Sequence, residues 1–156
     1  IGDVADYLVF MAYDQYGTSS SKPGTTAGLN WVETSLKKII EYDEVDTDKI
    51  ILGMPFYTRQ WTVAQDGTIK DRSVVSMMNV KIPNNVEKQW DDTLKQYYIE
   101  YASGKNTIKM WIEDGTSIKE KVALVTKYNL GGTSCWKKDM ETSNVWTIIK
   151  NELTKN

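Results

Sequence analysis

Apolar positions in this chain come in blocks separated by polar, turn-forming stretches. Tyr7-Leu8-Val9-Phe10-Met11-Ala12 is an unbroken apolar run that stops at Tyr13-Asp14-Gln15-Tyr16-Gly17. A run of that kind predicts a strand covered on both faces. A Gly/Ser/Thr-rich loop follows from Gly17 to Gly28. Val32, Leu36, Ile39 and Ile40 then repeat at helical spacing, with Asn30 as a candidate cap and Glu33 completing a capping box. Beyond the acidic loop Asp43 to Asp48, Lys49 to Tyr57 is a second buried strand, again ending in polar groups, Tyr57-Thr58-Arg59. Strand, helix, strand in this order implies a parallel crossover.

The rhythm breaks over residues 61 to 110. Asp66-Gly67 marks a turn, Ser73 to Val80 reads as a short helix, and Lys95–Tyr101 and Thr107–Ile112 read as two strands of a hairpin turning at Ser103 to Asn106. The alternation then resumes. Ser117-Ile118-Lys119-Glu120 is a second capping box, Ile118, Val122, Val125 and Tyr128 define a helix face, and Gly132 to Trp136 is a short strand. A last amphipathic helix covers Ser143 to Leu153, with Val145, Ile148, Ile149 and Leu153 inward. The domain organisation expected is 1–60 with two strands and their helix, 61–112 as a small α+β insertion, and 113–156 with a helix, a strand and a helix.

Composition narrows the chemistry. The 156 residues are 40% hydrophobic and 26% charged, which suits a globular fold with one sizeable core. A net charge of −2 gives no electrostatic case for nucleic acid or an anionic membrane surface. No apolar run approaches the ~20 residues of a membrane helix. Histidine is absent, so Ser-His-Asp and Cys-His catalysis and His-ligated metals are excluded. No cofactor is expected. Cys135 is alone, with outward parity on its strand, and reads as buried and inert. Six Trp and nine Tyr supply either core packing or a stacking surface for sugar rings. The start at Ile1-Gly2-Asp3, without a methionine or signal-peptide pattern, reads as an interior cut from a longer chain.

Three segments together carry a resemblance. Met11-Ala12-Tyr13-Asp14 resembles the Met-x-Tyr-Asp motif on the sixth strand of the family 18 glycoside hydrolases, the chitinase-like (β/α)8 barrels. Gly53-Met54-Pro55-Phe56-Tyr57-Thr58-Arg59 resembles the seventh-strand motif, with Thr58 where the family usually has glycine. Trp111-Ile112-Glu113-Asp114, Ser117, Lys121 and Leu130 to Trp136 resemble the seventh helix and eighth strand. The ending Trp136 to Thr142 and the short insertion are nearest to bacterial cell-wall and spore-cortex-lytic members. The implied fold is α/β, the C-terminal portion of a (β/α)8 TIM barrel (strands 6 to 8 and their helices) with a small α+β insertion. The family's fourth-strand signature, Asp-x-x-Asp-x-Asp-x-Glu, is absent from these residues, and the acidic loop Asp43 to Asp48 has the wrong spacing. The general acid is therefore expected upstream.

The resemblance implies a retaining, substrate-assisted glycosidase of β-1,4-linked N-acetylglucosamine polymers, chitin or peptidoglycan. Its site would be extracellular, on a cell wall or spore surface. The alternative is a non-catalytic carbohydrate-binding protein on the same scaffold. Tyr13 and Asp14 are the supporting catalytic residues; Trp136, Tyr57, Arg59 and Met11 are the substrate-binding ones. Strand parity points Val9, Met11 and Tyr13 one way and Leu8, Phe10 and Ala12 toward the helices. The alternatives are a structural salt bridge for Arg59, core packing for Tyr13 and Trp136, and a cap on the following loop for Asp14. Glu113 and Asp114 read as structural or rim residues. Trp61 suits either the groove or the packing beneath the insertion. The chain alone is expected to cleave no glycosidic bond. With strand edges at 7–13 and 132–136 unpaired, it is expected to self-associate.

Overall fold

The computed structural model describes residues 4–155. Two sheets organise them. The first has three parallel strands in the order β1-β2-β8, where β1 is Leu8–Met11, β2 is Ile50–Pro55 and β8 is Gly132–Trp136. Helix α1 (Leu29–Tyr42) connects β1 to β2, α2 (Gly115–Lys127) precedes β8, and α3 (Val145–Leu153) follows it. The second sheet has five antiparallel strands in the order β4-β3-β7-β6-β5: β3 Tyr57–Ala64, β4 Ile69–Ser76, β5 Gln89–Asp91, β6 Gln96–Ser103 and β7 Asn106–Ile112. The fold is α/β, and the described strands close no barrel.

The parallel sheet packs one face against the helices. Leu52, Met54, Val32, Leu36, Ile118, Val122, Val145 and Ile149 form its core, with Leu8 and Phe10 of β1 packed against it. Val9 and Met11, on the opposite parity, are 54% and 64% exposed: the parity read from the sequence sorts β1 by face, but the expected cover on both faces is corrected, since among the described residues nothing packs over the second face. Gly53 lies where strands approach closely: a Cβ there would meet the Phe10 carbonyl oxygen at 2.9 Å. The second sheet buries Ile99, Ile108, Met110 and Ile112, covered by Val80, Ile82 and Val86.

Several local expectations are corrected. Helix α1 is capped by Gly28, with no side-chain cap bond, and Asn30 lies within its first turn. The capping box of α2 sits three residues earlier than read. Asp114 accepts from the Thr116 and Ser117 amides, and Ser117 Oγ accepts from the Asp114 amide. The charged Asp114 carboxylate takes the cap, and Ser117 serves as the reciprocal N3 partner. Ser73 to Val80 is not a helix: Ile69–Ser76 is a strand paired with β3, and only Met77–Asn79 makes a 3-10 turn. Its β-branched residues fit the ladder, where Val75 joins the sheet core and Val74 stays exposed. Leu153, read as inward, is 39% exposed. The turn at Asp66-Gly67 forms, with Gly67 at φ +84° and Asp66 accepting from the Thr68 amide. Residues 1–3, where the interior cut was read, lie outside the described residues.

Candidate active site

The parallel register puts Met11, Gly53 and Ser134 level across the sheet, and Pro55 level with Trp136. Tyr13 and Asp14 follow at the carboxyl end of β1. In parallel α/β sheets ligands bind outside these ends. Asp14 adopts φ +58°, a left-handed conformation that aspartate tolerates better than most residues. The chain turns there into a loop held by backbone bonds from Gln15 to Thr26 (2.9 Å) and Tyr16 to Thr25 (3.2 Å).

Tyr57 and Arg59 reach this point by a route the strand reading did not anticipate. They are not the polar end of the second parallel strand. The chain bends at Phe56, whose amide donates to the Trp136 carbonyl at 2.7 Å and whose carbonyl accepts from the Met77 amide at 2.9 Å. Tyr57 and Arg59 therefore begin β3, the first strand of the second sheet. Alternation along β3 still puts both side chains on one face, and that face meets Asp14. The Tyr57 hydroxyl donates to Asp14 Oδ1 at 2.8 Å, and Arg59 Nη2 donates to the same oxygen at 3.0 Å. Arg59 is 4% exposed, and its Nη1 donates to the Arg72 carbonyl at 3.1 Å. Arg59 therefore makes a salt bridge, and makes it with Asp14.

Asp14 Oδ1 is doubly bonded while Oδ2 takes no partner among the described residues, and the side chain is 52% exposed. The carboxylate is thus oriented and still open to a ligand. Tyr13 meets Tyr57 edge to face, with ring centroids 6.4 Å apart. Burial and then the Asp14 charge push the Tyr13 phenol above its ordinary ionisation range. The same two influences, with the Asp14 hydrogen bond, push Tyr57 well above it. Both phenols therefore remain hydrogen-bond donors at any physiological pH. Met11 and Trp136 are 64% and 57% exposed on the same side. The structure thus joins Tyr13, Asp14, Tyr57 and Arg59 in one contact cluster, flanked by the exposed Met11 and Trp136.

Glu113, read from the sequence as a structural or rim residue, anchors a buried network beneath this cluster whose members the sequence reading did not connect. Glu113 is fully buried and accepts from Ser117 Oγ (2.7 Å), Lys121 Nζ (3.0 Å) and Gln96 Nε2 (2.5 Å). Gln96 in turn accepts from Thr25 in the loop after Asp14, and Thr58, between Tyr57 and Arg59, accepts from the Glu113 amide at 2.8 Å. Burial pushes the Glu113 carboxyl up, against the opposing pull of the Lys121 ammonium. The legible signal was Thr58 itself, a hydroxyl at the position where the resembling motif carries glycine. Trp61 is fully buried, with Nε1 donating to the Gly24 carbonyl at 2.8 Å. It packs rather than lining a groove. Cys135 is partly buried against the core and its thiol is pushed up to about 12 by that burial, which keeps it unreactive.

The family model described as glycosyl hydrolases family 18 matches residues 1–141. The cortical fragment-lytic enzyme of Bacillus subtilis is 28% identical over 97% of this chain, which corresponds to 35% of that enzyme. The chain therefore spans about a third of this curated relative's length. The crystal structure of a chitinase from Chromobacterium violaceum superimposes with a TM-score of 0.86 at 27% identity, covering 99% of this chain and 48% of that one. The spore cortex-lytic enzyme SleL of Bacillus megaterium shares the fold, with a TM-score of 0.82 at 23% identity over 97% of this chain and 35% of that one. From the family match over residues 1–141, this chain belongs to family 18 of the glycosyl hydrolases.

Proposed function

We propose that the chain is the C-terminal portion of a (β/α)8 barrel, contributing strands 6 to 8 and a small α+β insertion to a retaining, substrate-assisted glycosidase. The substrate is a β-1,4-linked N-acetylglucosamine polymer, and the site of action is a cell wall or spore surface. The observation that carries this reading is Asp14, clasped through one oxygen by Tyr57 and Arg59 beside a protonated Tyr13. The family match supports it, and so does a relative named for lysis of cortical fragments.

In the proposed reaction the 2-acetamido oxygen of the substrate attacks its own anomeric carbon as the glycosidic C–O bond breaks. The departing oxygen takes a proton from an acid supplied outside these residues. The cyclic oxazolinium that forms is then opened by water, which regenerates the acetamido group and retains configuration. This route departs from the two-carboxylate scheme. Tyr13 donates to the acetamido oxygen and holds it in line, an orientation effect. Asp14 Oδ2 accepts a sugar hydroxyl, and its negative charge stabilises the cationic ring as it develops. Trp136 stacks beneath the sugar, and Met11 supplies an apolar contact beside it. Tyr57 and Arg59 fix the orientation of Asp14.

Two readouts test the proposal on this chain. Titration with a hexamer of N-acetylglucosamine should show binding that Trp136→Ala weakens, with no hydrolysis above a Tyr13→Phe control. Turnover above that control would overturn the proposed division of the site. Absence of binding would overturn the carbohydrate assignment.

A further inference from the structure

The second sheet has a face that the proposed site uses only at one end. On β7, Ile108, Met110 and Ile112 point into the sheet core, so Lys109 and Trp111 point to the other face. Trp111 is one residue beyond the Gln60–Met110 pair, on the same face as Arg59. Tyr98 of β6 pairs with Trp111, and Gln89 of β5 pairs with Tyr98. The face therefore carries a row running from Arg59 through Trp111 and Tyr98 to Gln89. Tyr98 stands two strands from β3, about 10 Å away at ordinary strand spacing.

The loop after Asp14 divides this face. Arg72 Nη2 donates to the Ser20 carbonyl (3.4 Å), Trp61 Nε1 donates to the Gly24 carbonyl (2.8 Å), and Thr25 donates to Gln96. Trp61 is sealed beneath it. Trp111 is not: it stands at the loop's border, half-buried, with a hollow on either side. The hollow on the loop side, about 290 Å³, is shared with Gln15, Tyr16, Lys22 and Asn30. The outer hollow, about 440 Å³, is lined by Gln89, Trp90, Asp91, Asp92, Tyr98 and Trp111.

The outer hollow combines flat apolar rings with hydroxyl-binding groups. Tyr98 and Trp111 lie 4.8 Å apart at 42°. Trp90 is 39% exposed. The Gln89 amide makes no side-chain bond among the described residues. Asp91 Oδ1 holds the Thr93 and Leu94 amides, leaving Oδ2 open. Partly exposed rings beside a carboxylate and an amide match a pyranose, whose C–H face stacks while its hydroxyls donate and accept.

We infer that the outer half of this face is a second carbohydrate-binding surface. It holds one or two sugars of the same N-acetylglucosamine polymer on Trp111 and Tyr98, with hydroxyls bonded to Gln89 and Asp91. The inference rests on the carbohydrate reading proposed above. It adds a contact separate from the Tyr13–Asp14–Trp136 cluster.

The test follows the indole N–H signals of the whole chain by NMR during titration with the hexamer of N-acetylglucosamine. The Trp111 and Trp136 signals should both shift. Trp111→Leu, which keeps apolar packing but removes the flat ring, should weaken the outer contact about tenfold, equivalent to ~1.4 kcal/mol. Gln89→Ala, at an exposed position that cannot disturb the core, should weaken it about threefold. In Trp136→Ala the Trp111 signal should still respond. If the Trp136 signal shifts while that of Trp111 does not, the second surface is wrong and the carbohydrate reading stands. The same holds if both outer variants bind as the parent does. If neither signal shifts, the carbohydrate reading fails and takes this inference with it.

Discussion

Asp14 concentrates the chemistry of the proposed site on one carboxylate oxygen that accepts from a phenol and a guanidinium together. Tyr57 is 4% exposed, and its ionisation is held above the ordinary value of 10.0, first by burial and then by Asp14. The folded state therefore keeps a proton that the unfolded chain releases from about pH 10 upward. The associated stability is full below that pH and is lost as pH rises toward the folded-state value. Urea midpoints should fall more steeply above pH 10 for the parent than for Tyr57→Phe, which cannot ionise; parallel slopes would contradict this. At neutral pH, Tyr57→Phe should cost about 1 kcal/mol, the loss of one hydrogen bond at a partly exposed carboxylate. The residues of this cluster were legible in the sequence because each ends or follows an apolar run. Their contact was not legible, because Tyr57 and Arg59 lie more than forty positions from Asp14 on a different sheet.

The junction between α2 and the second sheet depends on a buried ion pair. Lys121 and Glu113 are both fully buried and 3.0 Å apart. Breaking such a pair strands a charge, whereas replacing both partners removes the need for pairing. Glu113→Ala should destabilise the chain by about 3–5 kcal/mol. Adding Lys121→Met should recover a large part of that loss, as measured by denaturant unfolding. Equal stability of the single and double variants would count against the pair as the cause. Asp114→Ala, which removes the helix cap next door, should cost about 1 kcal/mol. Periodicity revealed α1, α2, α3 and the β6–β7 hairpin, because each has an apolar face at its own period. It failed at β4, where Ser73 to Val80 carries no clear period and pairing with β3 decides the conformation.

At the scale of the whole molecule, the parallel sheet has β1 and β8 as its two outer strands, each paired, among the described residues, only with β2. Tyr7, Val9, Met11 and Trp136 are exposed on or beside them. Unpaired ladder groups beside exposed apolar side chains favour pairing between copies. Light scattering should report a mass above that of one chain at micromolar concentration, and Val9→Lys with Met11→Lys should shift it toward monomer. A monomeric mass for the parent at those concentrations would contradict the expectation.

The order of the strands, the polar groups at their ends and the absence of histidine chemistry are properties of the amino-acid sequence by itself, since each depends on neighbouring positions or on composition. The family resemblance was also readable there, in three short segments in the right order. Only the tertiary structure decided that Tyr57 and Arg59 belong to a second sheet, that they meet Asp14 on one oxygen, and that Glu113 ties Thr58, Gln96 and Thr25 into one buried network. Those contacts join residues 17 to 71 positions apart. Hydrophobic periodicity reports which side of an element is buried and is silent about which partner covers it, so the pairing of such distant polar groups emerges only when the two sheets pack.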